Sequence, residues 1–120
     1  MTWVYNVRKR SFEQNGIYKF SADYAGAPGY KNEPDFECVV NKGPLPRGKY
    51  KIVGKPFRHH HAGPYTLRLQ PYSTNNMCGR SGFLIHGGNS KGTASNGCII
   101  LHPTFRRVLY ESGDKELIVL

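Results

Sequence analysis

Apolar residues along this chain fall in short runs: TWVYNV (2–7), GIYKF (16–20), FECVV (36–40), KYKIVG (49–54), YTLRLQ (65–70), GFLIH (82–86), GCIIL (97–101) and ELIVL (116–120). Several alternate polar with apolar, and none reaches the ten or so residues that a helix of ordinary length needs, so each predicts a strand. Between them lie AGAPGYKNEP, NKGPLPRG, AGP and GGNSKGTASNG, whose glycines and prolines set turn conformations that a strand cannot hold. Only 103–111, PTFRRVLYE, reads as a helix. Pro103 suits its first turn, Phe105, Val108 and Leu109 share a face, and Ser112-Gly113 supplies a stop. Eight short strands and one late helix predict a mainly β fold, a compact antiparallel β-sandwich or barrel with one short C-terminal helix.

The 120 residues fit one domain, 1–120. No apolar window is long enough to span a membrane, and the opening MTWVYNVRKRSFEQNG lacks the apolar stretch of a secretory signal. The net charge of +9 is unevenly placed: from Cys38 to Tyr110, 73 residues contain eleven Lys or Arg and no Asp or Glu. Such a surface favours an anionic partner. A glycosidase with paired carboxylates is disfavoured, because both acids would have to come from the chain ends.

The three cysteines, Cys38, Cys78 and Cys98, form no CxxC pair and no zinc-ribbon spacing. Cys38 fits a buried small hydrophobe, and in an oxidising compartment Cys38 and Cys78 could pair and leave Cys98 free. The triplet His59-His60-His61 predicts no metal site, since consecutive side chains of an extended strand point to opposite faces. No metal and no cofactor are expected.

The segment RSGFLIHGGNSKGTASNGCIILH, Arg80 to His102, carries the chemistry. A strand ends at His86 and a polar loop leads to Ser95-Asn96-Gly97-Cys98 before the next strand. Neighbouring strands would bring His86, a solvent-accessible base, to Cys98, a thiol nucleophile. Backbone N–H groups from Asn96 to Cys98 would form an oxyanion hole, with Gly97 allowing close substrate approach. With no acid nearby, a backbone carbonyl, that of Gly87, is the expected orienter of the imidazole. Arg80 and Ser95 are candidate substrate-binding residues, Arg80 by gripping a carboxylate with both arms of its guanidinium.

His86 followed by Ser95-Asn96-Gly97-Cys98-Ile99 resembles the L,D-transpeptidase signature, in which His precedes Ser/Thr-His-Gly-Cys. Asn96 stands where that signature has its second His, and Ile100 where an Arg often follows the Cys. MTWVY, Gly29 to Asn32, GPLPRGKYKI, GPYTLRLQP, MCGRSGFLIHG, ASNGCIIL and ESGDKELIVL resemble the Tlde1 domain family, along essentially the whole chain. The resemblance implies an L,D-transpeptidase type of fold. It also implies an antibacterial type VI secretion effector, a toxin acting in the target-cell periplasm on peptidoglycan stem peptides. The implied activity is cysteine-dependent L,D-carboxypeptidase or L,D-transpeptidase chemistry, including D-amino acid exchange, at the diaminopimelate–D-Ala bond. The implied partners are the stem peptide, a cognate periplasmic immunity protein and the type VI machinery, with neither nucleic acid nor membrane.

Two rivals are set against that reading. A basic, non-enzymatic β-module binding nucleic acid or cell wall would use the +9 charge and the aromatic side chains and would be indifferent to Cys98. An endopeptidase of NlpC/P60 type would place its Cys before its His, the reverse of the order here.

Overall fold

The computed structural model describes residues 2–120. Nine strands form one sheet: β1 (Trp3–Asn6), β2 (Ser11–Gln14), β3 (Ile17–Ser21), β4 (Tyr24–Ala25), β5 (Gly48–His59), β6 (Gly63–Pro71), β7 (Leu84–His86), β8 (Ile99–Ile100) and β9 (Glu116–Val119). Their order across the sheet is β3-β2-β1-β9-β5-β6-β7-β8-β4. The α-helix α1 (Pro103–Glu111) has the bounds its sequence predicts. His102 caps it, its Nδ1 accepting from the Thr104 N–H at 3.1 Å.

The chain is mainly β as expected, with one refinement. Most strand pairs are antiparallel, but β1–β9 and β7–β8 run parallel. A parallel pair cannot be closed by a tight hairpin and needs a long crossover. Loop 87–98 is that crossover for β7 and β8, and Cys98 stands at its end.

Departures from the predicted strands have local causes. FECVV (36–40) forms no strand: Pro34–Phe36 is a 3-10 turn capped by Glu33, and the Val39 N–H returns to the Phe36 carbonyl at 2.9 Å. Local turns thus satisfy the backbone that a strand would have paired elsewhere. Strands β2 and β4 lack an apolar run and take shape only through their partners. The turn joining β2 to β3 is Asn15-Gly16, both at positive φ (55° and 74°), as a tight hairpin turn requires. Strand β5 continues past 54 to His59 with a register shift between Val53 and Phe57.

One core serves the whole sheet, from Trp3, Phe12 and Phe20 at one end to Ala25, Ile99 and Leu101 at the other. Strands so far apart in order share that core because the sheet curls around it. Helix α1 closes it: Phe105 stacks on Phe20 at 4.6 Å between ring centroids, and Trp3 Nε1 donates to Ser112 Oγ at 3.0 Å. Of the predicted apolar face, Leu109 is buried, whereas Val108 is exposed and Arg106 lies inward.

Cys38 and Cys78 form a disulfide across a sequence separation of 40. Chain-entropy reasoning assigns such a closure about 4 kcal/mol. Cys38→Ser with Cys78→Ser is therefore expected to lower unfolding free energy in guanidinium titrations by about 2–4 kcal/mol, and an unchanged midpoint would refute that assignment.

Candidate active site

Parallel pairing of β7 with β8 sets Ile85 beside Ile99 and His86 beside Ile100. Ile85 and Ile99 point into the core with no exposure. By alternation Leu84, His86 and Cys98 fall on the opposite face, where all three line a cavity of about 490 Å³. The Leu84 N–H points at Cys98 Sγ, 3.3 Å away. His86 Nδ1 lies 2.8 Å from the Gly87 carbonyl. With Nδ1–H donating to that oxygen, Nε2 keeps its lone pair as proton acceptor.

His86 is 6% exposed, so the solvent-accessible imidazole expected from sequence is replaced by a buried one. Burial holds its pKa below the ordinary histidine range; the Gly87 bond opposes this, and the charges of Arg106 and His59 reinforce it. Burial likewise pushes the Cys98 thiol up, opposed by the Leu84 N–H and by the Arg80 charge. Both shifts favour uncharged partners at rest: a thiol and a neutral imidazole.

Arg80 requires a correction. It is no open carboxylate grip, because Nη1 donates to the carbonyls of Glu37 (2.6 Å) and Pro44 (2.9 Å), and Nη2 to those of Gly43 (2.9 Å) and Asn96 (3.0 Å). Its plane also lies over Phe83. The side chain is buried and ties loop 37–44 to the segment bearing the thiol.

Ser95 is corrected in the same way. It is 1% exposed, and its Oγ accepts from the Gly26 and Gly97 N–H groups and donates to the Cys98 carbonyl. It shapes the turn before Cys98, with its hydroxyl spent on backbone groups. Because the Gly97 N–H is engaged at 3.0 Å by Ser95, Gly97 is not an oxyanion donor. Glycine is required there for packing: φ is 141°, and a Cβ would come within 2.6 Å of Arg80 Nη2. Asn96 is exposed at the cavity wall beside Cys98.

Three residues at the site were not singled out for it from sequence. Arg106 is 5% exposed and donates to the carbonyls of Leu101, Pro64 and Tyr65, each at 2.9 Å. A Cβ on Gly87 would meet its Nη2 at 3.0 Å, so Arg106 packs against Gly87, the residue whose carbonyl orients His86. Its position inside the helix stripe of Phe105 and Leu109 was the available signal. His59 and His61, at the tip of the β5–β6 hairpin, also line the cavity. Among the described residues, no group of three His, Cys, Asp or Glu is arranged to hold a metal ion.

A Tlde1 domain model matches residues 19–117. The chain belongs to the Tlde1 domain family. No curated protein matches it. Solved structures with a similar fold include an L,D-transpeptidase (Yku) from Stackebrandtia nassauensis, at TM-score 0.59 and 18% identity over 99% of this chain and 54% of that one. Another is an L,D-transpeptidase from Mycobacterium smegmatis, at 0.56 and 18% over 99% and 58%. A third is L,D-transpeptidase 3 from Mycobacterium tuberculosis with a faropenem-derived adduct, at 0.57 and 15% over 98% and 59%. This Tlde1-domain chain thus has the L,D-transpeptidase fold and spans between half and three fifths of those chains.

Replacing Arg80 by Met would strand four carbonyls, three of them on loop 37–44. Arg80→Met is expected to cost about 3 kcal/mol or more in unfolding free energy. Arg80→Lys should restore little, because one ammonium cannot reproduce the planar fork. Full stability in Arg80→Lys would show the fork to be dispensable.

Proposed function

We propose that this chain is a cysteine L,D-carboxypeptidase and L,D-transpeptidase that acts on peptidoglycan stem tetrapeptides at the diaminopimelate–D-Ala bond. The observation that carries the reading is the cavity face shared by Cys98 and His86, with the imidazole oriented through Nδ1 by the Gly87 carbonyl. Family membership and fold support peptidoglycan as substrate. The same membership supports an antibacterial effector delivered by a type VI machine to the target-cell periplasm, held in check in kin cells by an immunity protein that occludes the Cys98 cavity.

The thiol proton passes to His86 Nε2 while Sγ adds to the carbonyl carbon on the L-centre of diaminopimelate. The resulting oxyanion is met by N–H groups of Asn96 and Cys98, the Gly97 N–H being engaged elsewhere. Collapse breaks the C–N bond, His86 returns its proton to the departing D-alanine amine, and a thioester remains. Water then adds to the thioester with His86 again as base, breaking the C–S bond and releasing the tripeptide. A D-amino acid in place of water gives an exchanged tetrapeptide, and an amine of a second stem gives a cross-link. The Arg80 charge beside Cys98 lowers the cost of developing negative charge on sulfur.

Mass spectrometry of purified muropeptides is the direct test. Wild-type protein should convert tetrapeptide to tripeptide with loss of D-alanine, and Cys98→Ala should leave the profile of the untreated sample. Identical profiles for the two proteins would sink the reading.

The pH dependence carries a second expectation. The base works only as neutral imidazole, and burial holds that form to lower pH than the ordinary value of about 6.5. The acid limb of kcat/KM should therefore fall below pH 6.5, and the alkaline limb above the usual thiol range, since burial raises Cys98. An acid limb at or above the ordinary histidine value would remove buried His86 from the base role.

A further inference from the structure

With the Arg80 fork closed on carbonyls, the cavity needs another group to meet an anionic end of a peptide. Among the described residues lining it there is no Asp or Glu. The wall formed by the hairpin tip supplies a candidate, His59, which closes a turn on itself. Its Nδ1 accepts from the backbone N–H groups of His61 and Ala62, each at 3.1 Å. A nitrogen accepting two N–H bonds carries no proton, so the neutral ring is the Nε2–H tautomer. The donor edge lies across the ring from the turn. His59 lines the same cavity as Cys98 and His86, and its charge, when present, acts on His86.

We propose that His59 Nε2–H, aimed by its own turn at the hairpin tip, donates to the terminal carboxylate of the departing residue and selects stems that end in a free acid. This inference rests on the peptidase reading above for the identity of the peptide. Its physical content is narrower: a fixed N–H donor in an acid-free cavity discriminates a carboxylate from a carboxamide, because the charged acceptor forms the stronger bond. The ring is held before substrate arrives, so little ordering entropy opposes the contact. His59 here binds substrate and takes no part in proton transfer.

Two substitutions separate the nitrogens. In His59→Asn the side-chain oxygen stands near the place of Nδ1 and can keep the turn, but the distal N–H is gone. In His59→Gln an amide N–H reaches the place of Nε2, while the turn acceptor is lost. The probes are one tetrapeptide stem with a free D-alanine carboxylate and the same stem as its carboxamide. Binding is measured by calorimetry in the Cys98→Ala background, where no turnover occurs, and steady-state rates are measured with Cys98 present.

His59→Asn should weaken binding of the acid about tenfold, as loss of one hydrogen bond to a charged group implies, and leave the amide unchanged. KM for the acid should rise in step, with kcat within about twofold, and His59→Gln should recover most of the acid preference. Should His59→Asn fail to fold, the wild-type His59 Nε2 resonance must still move on addition of the acid and stay in place with the amide. Equal losses for the two peptides, an undiminished acid preference, binding of neither peptide, or an unmoved resonance would each overturn the inference. If Cys98 protein turns over neither peptide while the His59-dependent preference persists, the peptidase reading falls and the recognition site stands.

Discussion

Two buried guanidinium groups bonded to backbone carbonyls hold the site together. Arg80 joins loop 37–44 to Asn96, and Arg106 joins the end of β8 to Pro64 and Tyr65. A buried arginine usually answers to a carboxylate, yet residues 38–110 contain none. Carbonyl dipoles take that place, and since one planar fork addresses several at once, Arg80 fixes a loop that has no ladder and Arg106 fixes the irregular start of β6. Loop 37–44 can be irregular because Arg80 and the Cys38–Cys78 bridge restrain it from two sides, and Arg80 also holds the crossover 87–98 at Asn96. Tyr65, at a φ of 51°, is held in its uncommon conformation where Arg106 grips its carbonyl.

This arrangement leaves positive charge in the site without a formal counter-ion. A carboxylate beside Arg80 would cancel the field at Cys98, whereas carbonyl dipoles solvate the guanidinium and leave its charge intact. The same acid-free surroundings put a neutral acceptor on His86 Nδ1. A carbonyl orients the ring and raises its basicity less than a carboxylate would, so burial decides the direction of its shift. The resting thiol and imidazole are therefore uncharged, and the local field acts on any charge that develops there.

Much of this could be read from the residues. Helix α1 was legible because Pro103, a helical stripe and Ser112-Gly113 all mark the same segment, and most strands because their apolar runs are bounded by glycine and proline. His86 and Cys98 stood out by residue type and by the strands that carry them. FECVV misled because its β-branched pair lies beside a proline-led turn closed by local hydrogen bonds and a disulfide, interactions that strand propensity does not contain. The roles given to Arg80, Ser95 and Gly97 shifted for a common reason. Polar residues next to a candidate nucleophile look like substrate contacts in one dimension, and only the fold shows that backbone groups had already claimed their donors and acceptors.

That prior claim determines how the site can recognise an anion. A cation locked into the scaffold acts at a distance through its field, which has no preference for the shape of what it attracts. Shape discrimination needs a donor whose other partners are satisfied and whose free edge faces the cavity. On the hairpin wall His59 lines the cavity, and the backbone at 61–62 occupies one ring nitrogen and fixes the proton on the other. Field and donor are thus divided between two residues from different elements: in the proposed reaction Arg80 biases the chemistry at sulfur, and His59 reads the end of the peptide.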